Sequence, residues 1–376
     1  MADSPSASLP SKTKYVKMKS LILIILLALT ATPIQAQDLL AGEESVDLEA
    51  LYQQIDDAIR QSPEYVDERE QQIALRRDSL LIEKRPEMRL PLAEQLFLLY
   101  QPYRNDSALH YAEVCISIAE SMQRPDLVGR YRAQLARQCS SADMHVESLE
   151  QLRSIDRAAL DNAGLVYYYS AWMHVSGELA SSSQRKDVRQ RYFDLQNLYR
   201  DSVMMVADEG SEDWLHLKMD ILSAQRRFQE ALSVSNKWFR RVTPSTHESA
   251  YAAFYRSMCY DHLENHDLAC YWLGKSALDD IRCAVMNQAS LLFLAEHLAD
   301  DGDISRAMRY MEFTKACNLA FCPRLRAYQV GPVVNITSKS NEAAQQQADL
   351  TLIISAAIIV CLLASLIVAL LFIRKK

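Results

Sequence analysis

Apolar residues in this chain recur at three- and four-residue intervals, the spacing that lines one face of an α-helix. Leu48, Leu51, Ile55 and Ile59 form one such stripe. Ile73, Leu80 and Leu81 mark a second, charged stretch from Tyr65 to Ile82, which reads as a helix of its own. Pro86 stands where a proline opens a helix, and the pattern carries that helix through Tyr100. Asp106 and Ser107 are placed to cap the next helix, on which Ala108, Ala112, Cys115, Ile116 and Ala119 share a face. Residues 37–85 are expected to form an N-terminal helical segment, and residues 86–322 a run of paired helices.

One spacing repeats within that run. A small residue on a first helix is followed twelve positions later by another on a second helix, past a polar turn. Ala295 and Ala307 flank Gly302-Asp303, Ser257 and Ala269 flank Asn265-His266, and Ala136 and Ser148 flank the stretch from Ser140 to Asp143. Ala231 holds the second place of a fourth unit, with Met219 in the first. Two antiparallel helices approach closely only where side chains are small. Leu291, Leu294, Leu298 and Met311 would fill the space between neighbouring pairs. The units fall in the size range of stacked helical repeats, and about six pairs fit between Pro86 and Asn318. An ordinary helical bundle is the competing arrangement.

Two longer apolar segments set an expected topology. Leu21 to Leu29 follows Lys12, Lys14, Lys17 and Lys19 and precedes Thr30-Ala31-Thr32-Pro33-Ile34-Gln35-Ala36. A basic start, a short apolar stretch and a small residue before a polar one describe a secretory signal peptide over residues 1–36. Cleavage after Ala36 fits best, with Ala31 and Ala28 as alternatives, and an uncleaved anchor is the rival reading. Thr351 to Ile373 is an uncharged stretch of 23 residues. As a helix it reaches about 34 Å, enough to cross a bilayer core. Residues 323–350 are expected as a linker to it, and Arg374-Lys375-Lys376 (374–376) as a cytoplasmic basic tail. The expected place is the inner membrane, single-pass, with the bulk in the periplasm.

Composition narrows the chemistry. Only 8 glycines are present, where average usage of about 7% would give about 26. Turns needing positive φ are therefore expected to be few, and a Gly-rich phosphate loop is excluded. A net charge of −7 with no long basic run argues against direct nucleic-acid binding. No nucleophile with an ordering base, H-E-x-x-H or Walker loop is found, so no catalytic residue and no cofactor is assigned. Cys259, His262, His266 and Cys270 offer metal-ligand side chains at C-x2-H-x3-H-x3-C spacing. Cys259 and Cys270 also fall at helix-packing places, so no metal is assigned to them. Cys317 and Cys322 could bridge before Pro323, or stay as small buried residues. Tyr167, Tyr168, Tyr169 and Trp172 form an aromatic cluster that a helix cannot turn wholly inward. Ala357, Cys361, Ser365 and Ala369 recur every four residues, a flat stripe where two membrane helices could pair as a homodimer.

The residues of the small-residue units resemble the tetratricopeptide repeat, an all-α, α-solenoid fold. Leu291, Leu294, Ala295, Leu298, Gly302, Asp303, Ala307 and Met311 occupy its signature places, and Phe228 to Ala231 with Pro244 is similar. The chain departs from that signature in lacking its Trp and in varying unit length. In such arrays the first helix of each pair lines a concave face. The resemblance places Arg130, Arg137, Asp213, His216, Asp220, Tyr251, Phe254, Met258 and Asp261 there; of the aromatic cluster, Tyr168 and Trp172 are the candidates to reach the groove as anchors, with core packing as the alternative. From about residue 45 onward the chain also looks like a family of Bacteroidota envelope proteins. The carrying motifs include Asp106 to Ala112, Tyr167 to Ala171, Tyr199 to Val203, Thr246-His247-Glu248, Asp280 to Ala284, Asp301 to Ala307 and Phe321 to Arg326. Longer members continue past the membrane helix into a coiled coil and a DNA-binding domain and are described as regulator-like. The resemblance implies a membrane-anchored extracytoplasmic binding module, the sensing part of a signalling protein, with a protein or peptide partner in the cell envelope. The chain stops three residues after the apolar span, so an output domain of its own is not expected. A non-signalling envelope scaffold is the alternative.

Overall fold

The computed structural model describes residues 46–321 and 327–374. The apolar leader with its cleavage positions, the Cys317–Cys322 pairing and the Lys375-Lys376 end lie outside the described residues. Among the described residues there are fourteen α-helices and no strand. A long helix, α1 (Leu48–Ile82), comes first. Six pairs follow: α2 (Pro86–Tyr100) with α3 (Asn105–Ser121), α4 (Pro125–Ser140) with α5 (His145–Arg153), and α6 (Asn162–Ser182) with α7 (Lys186–Val206). The last three are α8 (Glu212–Ala224) with α9 (Phe228–Phe239), α10 (His247–His262) with α11 (His266–Arg282), and α12 (Ala289–Asp300) with α13 (Ile304–Phe321). Helix α14 (Ala327–Arg374) ends the described chain.

The twelve-residue spacing is the packing rule of the pairs. Ala136, Ser148, Met219, Ala231, Ser257, Ala269, Ala295 and Ala307 are all buried. The turns correct one expectation. Gln123, Asp143, Arg226, Ser245, Glu264 and Ala284 all have left-handed backbone, as does Gly302 at φ +91. Six of these seven end a helix in the same way, with the next N–H reaching back to a carbonyl near the helix end. Examples are Arg124 N to Ala119 O at 3.1 Å, Asn265 N to Tyr260 O at 3.0 Å and Asp303 N to Leu298 O at 2.9 Å. This Schellman-type cap satisfies carbonyls the helix leaves open. Turns with positive φ are thus frequent, and six of those among the described residues are filled by residues other than glycine, each at a cost of about 1 kcal/mol.

Two further expectations change. The stripes at 48–59 and 65–82 belong to one continuous helix, α1, with Pro63 inside it. An interior proline costs about 3 kcal/mol, whereas each buried Leu or Ile returns roughly 1.5–3 kcal/mol. Leu51, Ile55, Ile73 and Leu80 are all buried, so packing on both sides of Pro63 holds the helix together. Asp106 and Ser107 do not cap α3. Arg104 is its N-cap, without a side-chain cap bond, and Asp106 sits in the first turn. The Asn105 side chain is engaged elsewhere, accepting from Gln138 Nε2 at 2.7 Å.

Helix α1 also joins the two ends of the array. Its C-terminal half, through Ile73 and Leu80, shares a buried cluster with Leu90, Leu96 and Phe97 of the first pair. Its N-terminal half, through Leu51, Tyr52 and Ile55, is buried with Leu273, Ala277, Leu294 and Tyr310 of the last two pairs. Arg69 donates to the Leu99 carbonyl at 2.8 Å and to the Cys283 carbonyl, one from each end. The ends meet directly where Met286 N donates to Pro102 O at 2.8 Å. The array is therefore a closed, tightly curved ring of pairs. On the far side, among the described residues, α7 and α8 share no buried apolar cluster.

The stretch expected as a linker is helical from Ala327 and runs unbroken into the apolar span. Its first turns dock on the last pair. Ile336 is fully buried, Asn335 Nδ2 donates to Glu296 at 3.4 Å, and Lys339 pairs with Asp300. Beyond them Leu352, Ile353, Ile354, Ile358, Ile359 and Val360 are exposed. Among the described residues one helix is long and apolar enough to cross a membrane, and it lies within Gly331–Leu363 of α14.

Candidate functional site

Closing the ring brings the second pair opposite the fourth and fifth. Arg137 projects from α4, exposed and in no ion pair among the described residues. Its charge acts on Glu212, Asp213 and His216 of α8 and on Tyr251 and Tyr255 of α10. These helices are the first of their pairs, as a concave face requires. Glu212 and Asp213 keep solvent access, yet protein stands on most sides of them. Burial is the main cause that raises both carboxyl pKa values, with Glu212 reaching about 7. Solvent access combined with burial is what the wall of a narrow concavity gives.

The floor of this concavity is aromatic. The His216 ring lies 4.3 Å from Tyr255 and 5.3 Å from Tyr251, centre to centre, over Trp238 at 6.2 Å. Its Nε2 is 3.5 Å from both the Tyr251 hydroxyl and an Asp220 oxygen. Burial, then the Arg137 charge, lowers the His216 pKa to about 3, so the ring is neutral near pH 7. Burial raises Asp220 to about 6, against the pull of Arg200. Beside this group His247 Nδ1 and Asp280 Oδ1 are 2.7 Å apart. Burial works against a charged His247, but the Asp280 carboxylate outweighs it and raises the imidazole pKa. The arrangement brings the Arg137 guanidinium, several carboxyls and an aromatic floor within electrostatic reach of one another.

The other sequence-predicted positions lie apart from this centre. Arg130 pairs with Glu94 at 2.7 Å and stands over the Tyr167 ring at 4.7 Å. Trp172 stacks on Tyr199 at 5.3 Å and meets Tyr168 edge-on at 6.5 Å. Its buried Nε1 has no hydrogen-bond partner. Phe254 packs against Phe293 at 6.0 Å, Met258 is exposed, and Asp261 lies 3.9 Å from His297. Ala357, Cys361 and Ser365 are exposed on α14. The side chain of Ala369 lies outside the described residues.

Sequence reasoning missed Glu212, Tyr255, His247 and Asp280. The first three lie on α8 and α10 within a few residues of predicted positions, so helical periodicity could have found them. Asp280 belongs to a second helix, α11, and only the close packing of that pair exposes its role. The Cys259-to-Cys270 quartet divides. Cys259 is buried near Ser223, and His262 stacks on Phe228 at 4.9 Å. Only His266 and Cys270 come together, with Sγ and Nε2 3.6 Å apart.

No match emerges among curated proteins. Residues 59–332 match the family model described as the SusR N-terminal TPR domain, which takes in α2 to α13 and most of α1. With six closed pairs and most of the chain matched, this protein belongs to the SusR N-terminal TPR domain family.

Proposed function

We propose that the concavity around Arg137 holds an extended segment of a protein or peptide partner. The helical repeats form the extracytoplasmic sensing part of a membrane-anchored, regulator-like protein. The observation that carries this reading is Arg137 itself: an exposed guanidinium in no ion pair among the described residues, whose charge acts on carboxyls and tyrosines of α8 and α10. Helical repeat arrays use such concave faces to bind. Tyr and Arg are also the side chains that most often anchor an interface. The weak seam between α7 and α8 lets the ring widen as a partner enters.

The path outward is short. Helix α14 docks on α12 and α13 through Asn335, Ile336 and Lys339, so a shift of the last pair moves the membrane helix. In the inner membrane, with the repeats in the periplasm, that motion would reach the cytoplasm. The stripe Ala357, Cys361, Ser365 and Ala369 is where two such helices would pair.

Affinity capture from cell-envelope extract tests the reading, with the full chain in detergent as bait. A partner kept by the wild type and lost with Arg137→Glu, at equal thermal stability, supports it. Equal recovery by both proteins removes the concavity as the binding site.

A further inference from the structure

A second constellation lies outside that concavity, where α11, α12 and the start of α1 meet. The nearest side-chain ligand atoms of His266, Cys270 and His297 all lie within 4.8 Å of one another. His266 and Cys270 are one turn apart on α11, and His297 comes from the neighbouring α12. One turn beyond His297, Asp301 places Oδ2 2.7 Å from His266 Nε2. An i, i+4 pair on α11 and one residue of the adjacent α12 thus bring two imidazoles and a thiol together, with the Asp301 carboxylate against His266. From these residues we propose a site for one divalent zinc ion, held by His266, Cys270 and His297, with a fourth place that the neighbouring Asp301 side chain can swing to fill.

The donor set and its spacing fit that ion. Zinc takes nitrogen and sulfur donors in a tetrahedron, with oxygen also accepted. With Zn–S at ~2.3 Å and Zn–N at ~2.0 Å in a tetrahedron, two such ligands stand about 3.5 Å apart. The Cys270 Sγ and His266 Nε2 atoms are already separated by 3.6 Å. The rings of His266 and His297 meet edge-on at 5.2 Å between centres, an approach that lets both nitrogens turn to a shared point. Turning of the exposed Asp301 side chain from His266 toward the ion would fill the fourth place. On binding, the Cys270 thiol gives its proton to solvent, and the thiolate sulfur bonds the metal.

The surroundings support a built site. Cys270 is fully buried, while His266 opens toward solvent and gives the ion a way in. Tyr52 of α1 is buried in one cluster with Cys270, where its hydroxyl can serve as the outer contact that orients a metal-bound thiolate. Tyr52 is itself fixed by Tyr310, which donates to its carbonyl at 3.2 Å. An ion here would pin the helix that closes the ring to the last two pairs. It would do so on α12, the helix against which the membrane anchor docks, and independently of what the concavity binds.

Cobalt and zinc titration of the chelator-treated full chain in detergent tests the site. The expected result is one equivalent of Co2+ with a thiolate-to-cobalt absorption band that zinc abolishes. His297→Gln and Cys270→Ser should each lose the band. Tyr52→Phe should keep it with roughly 10- to 100-fold weaker affinity. His262→Gln, whose ring stacks on Phe228 away from the cluster, should behave as wild type. His297→Gln loses one partly exposed ring, so it keeps the test valid if Cys270→Ser fails to fold. Absence of the band in the wild type, or a band unchanged by His297→Gln, overturns the proposal.

Discussion

The Ser148 hydroxyl donates to the Ala136 carbonyl at 2.7 Å, across the interface of α4 and α5. The same bond recurs between Ser276 and the Ala250 carbonyl at 2.7 Å, joining α11 to α10. Small residues at these crossings therefore do more than leave room; two of them tie one backbone to the other. Ser148→Ala keeps the close approach and removes the bond, and should cost about 1 kcal/mol. Ser148→Leu must also push the helices apart, adding roughly 1–3 kcal/mol. Urea unfolding of both variants measures the two contributions separately.

Positive-φ turns filled by exposed side chains give the opposite direction. Gln123 (φ 54), Arg226 (φ 59) and Glu264 (φ 58) are all exposed at helix ends. Glycine adopts this backbone without the Cβ clash, although it also loosens the unfolded chain. Each change to glycine should raise stability by roughly 0.5–1 kcal/mol. Calorimetry of the triple variant should show a higher Tm than wild type.

These turns also mark where the sequence was legible. The twelve-residue spacing identified the paired helices because small residues at a crossing leave a periodic trace. Glycine count misjudged the turns because an αL cap needs a backbone conformation, which Gln123 and Glu264 can adopt at a modest cost. The span of α1 past Pro63 was hidden for a similar reason. Proline reads as a break locally, and half of the packing that overrides it comes from α11 to α13, far along the chain. Of the concave face, Arg137, Asp213, His216, Asp220 and Tyr251 were readable from repeat position. That they converge was not, since ring closure is a property of the assembled array.

The concavity should make stability depend on pH in a defined window. Glu212 has its pKa raised from 4.5 to about 7, so the folded state favours its protonated form. That contribution is fully present below pH 4.5 and is lost as pH rises through about 7. His216 acts oppositely: its pKa falls from 6.5 to about 3, so its contribution is present above pH 6.5 and lost toward pH 3. Glu212→Gln removes the first effect and leaves the second. Melting at pH 5 and pH 7.5 should show a less unfavourable change with rising pH in the variant. Because Glu212 is solvent-accessible, the difference should be modest.

Arg69 offers a test of the ring itself. It is partly buried, with burial lowering its pKa, and it reaches carbonyls from both ends of the array. Arg69→Met keeps much of the stem and removes both donors. Bonds from a charged donor contribute about 1.5–3 kcal/mol each, so a loss of a few kcal/mol is expected. Amide exchange should speed up together around Leu99 and around Met286. A change confined to one of those places would show that Arg69 supports a single end.

The bridge made by α1 also bears on how this chain can change length. In an open stack each unit touches only its neighbours, so a pair can be duplicated or dropped with little disturbance. Here an added pair would part the Met286 N–H from the Pro102 carbonyl. It would also leave α1, with 35 residues and a span of about 52 Å, too short to meet both ends. The hoop thus fixes the number of staves, and growth in this protein is confined to its loops and to the helix that leaves the ring.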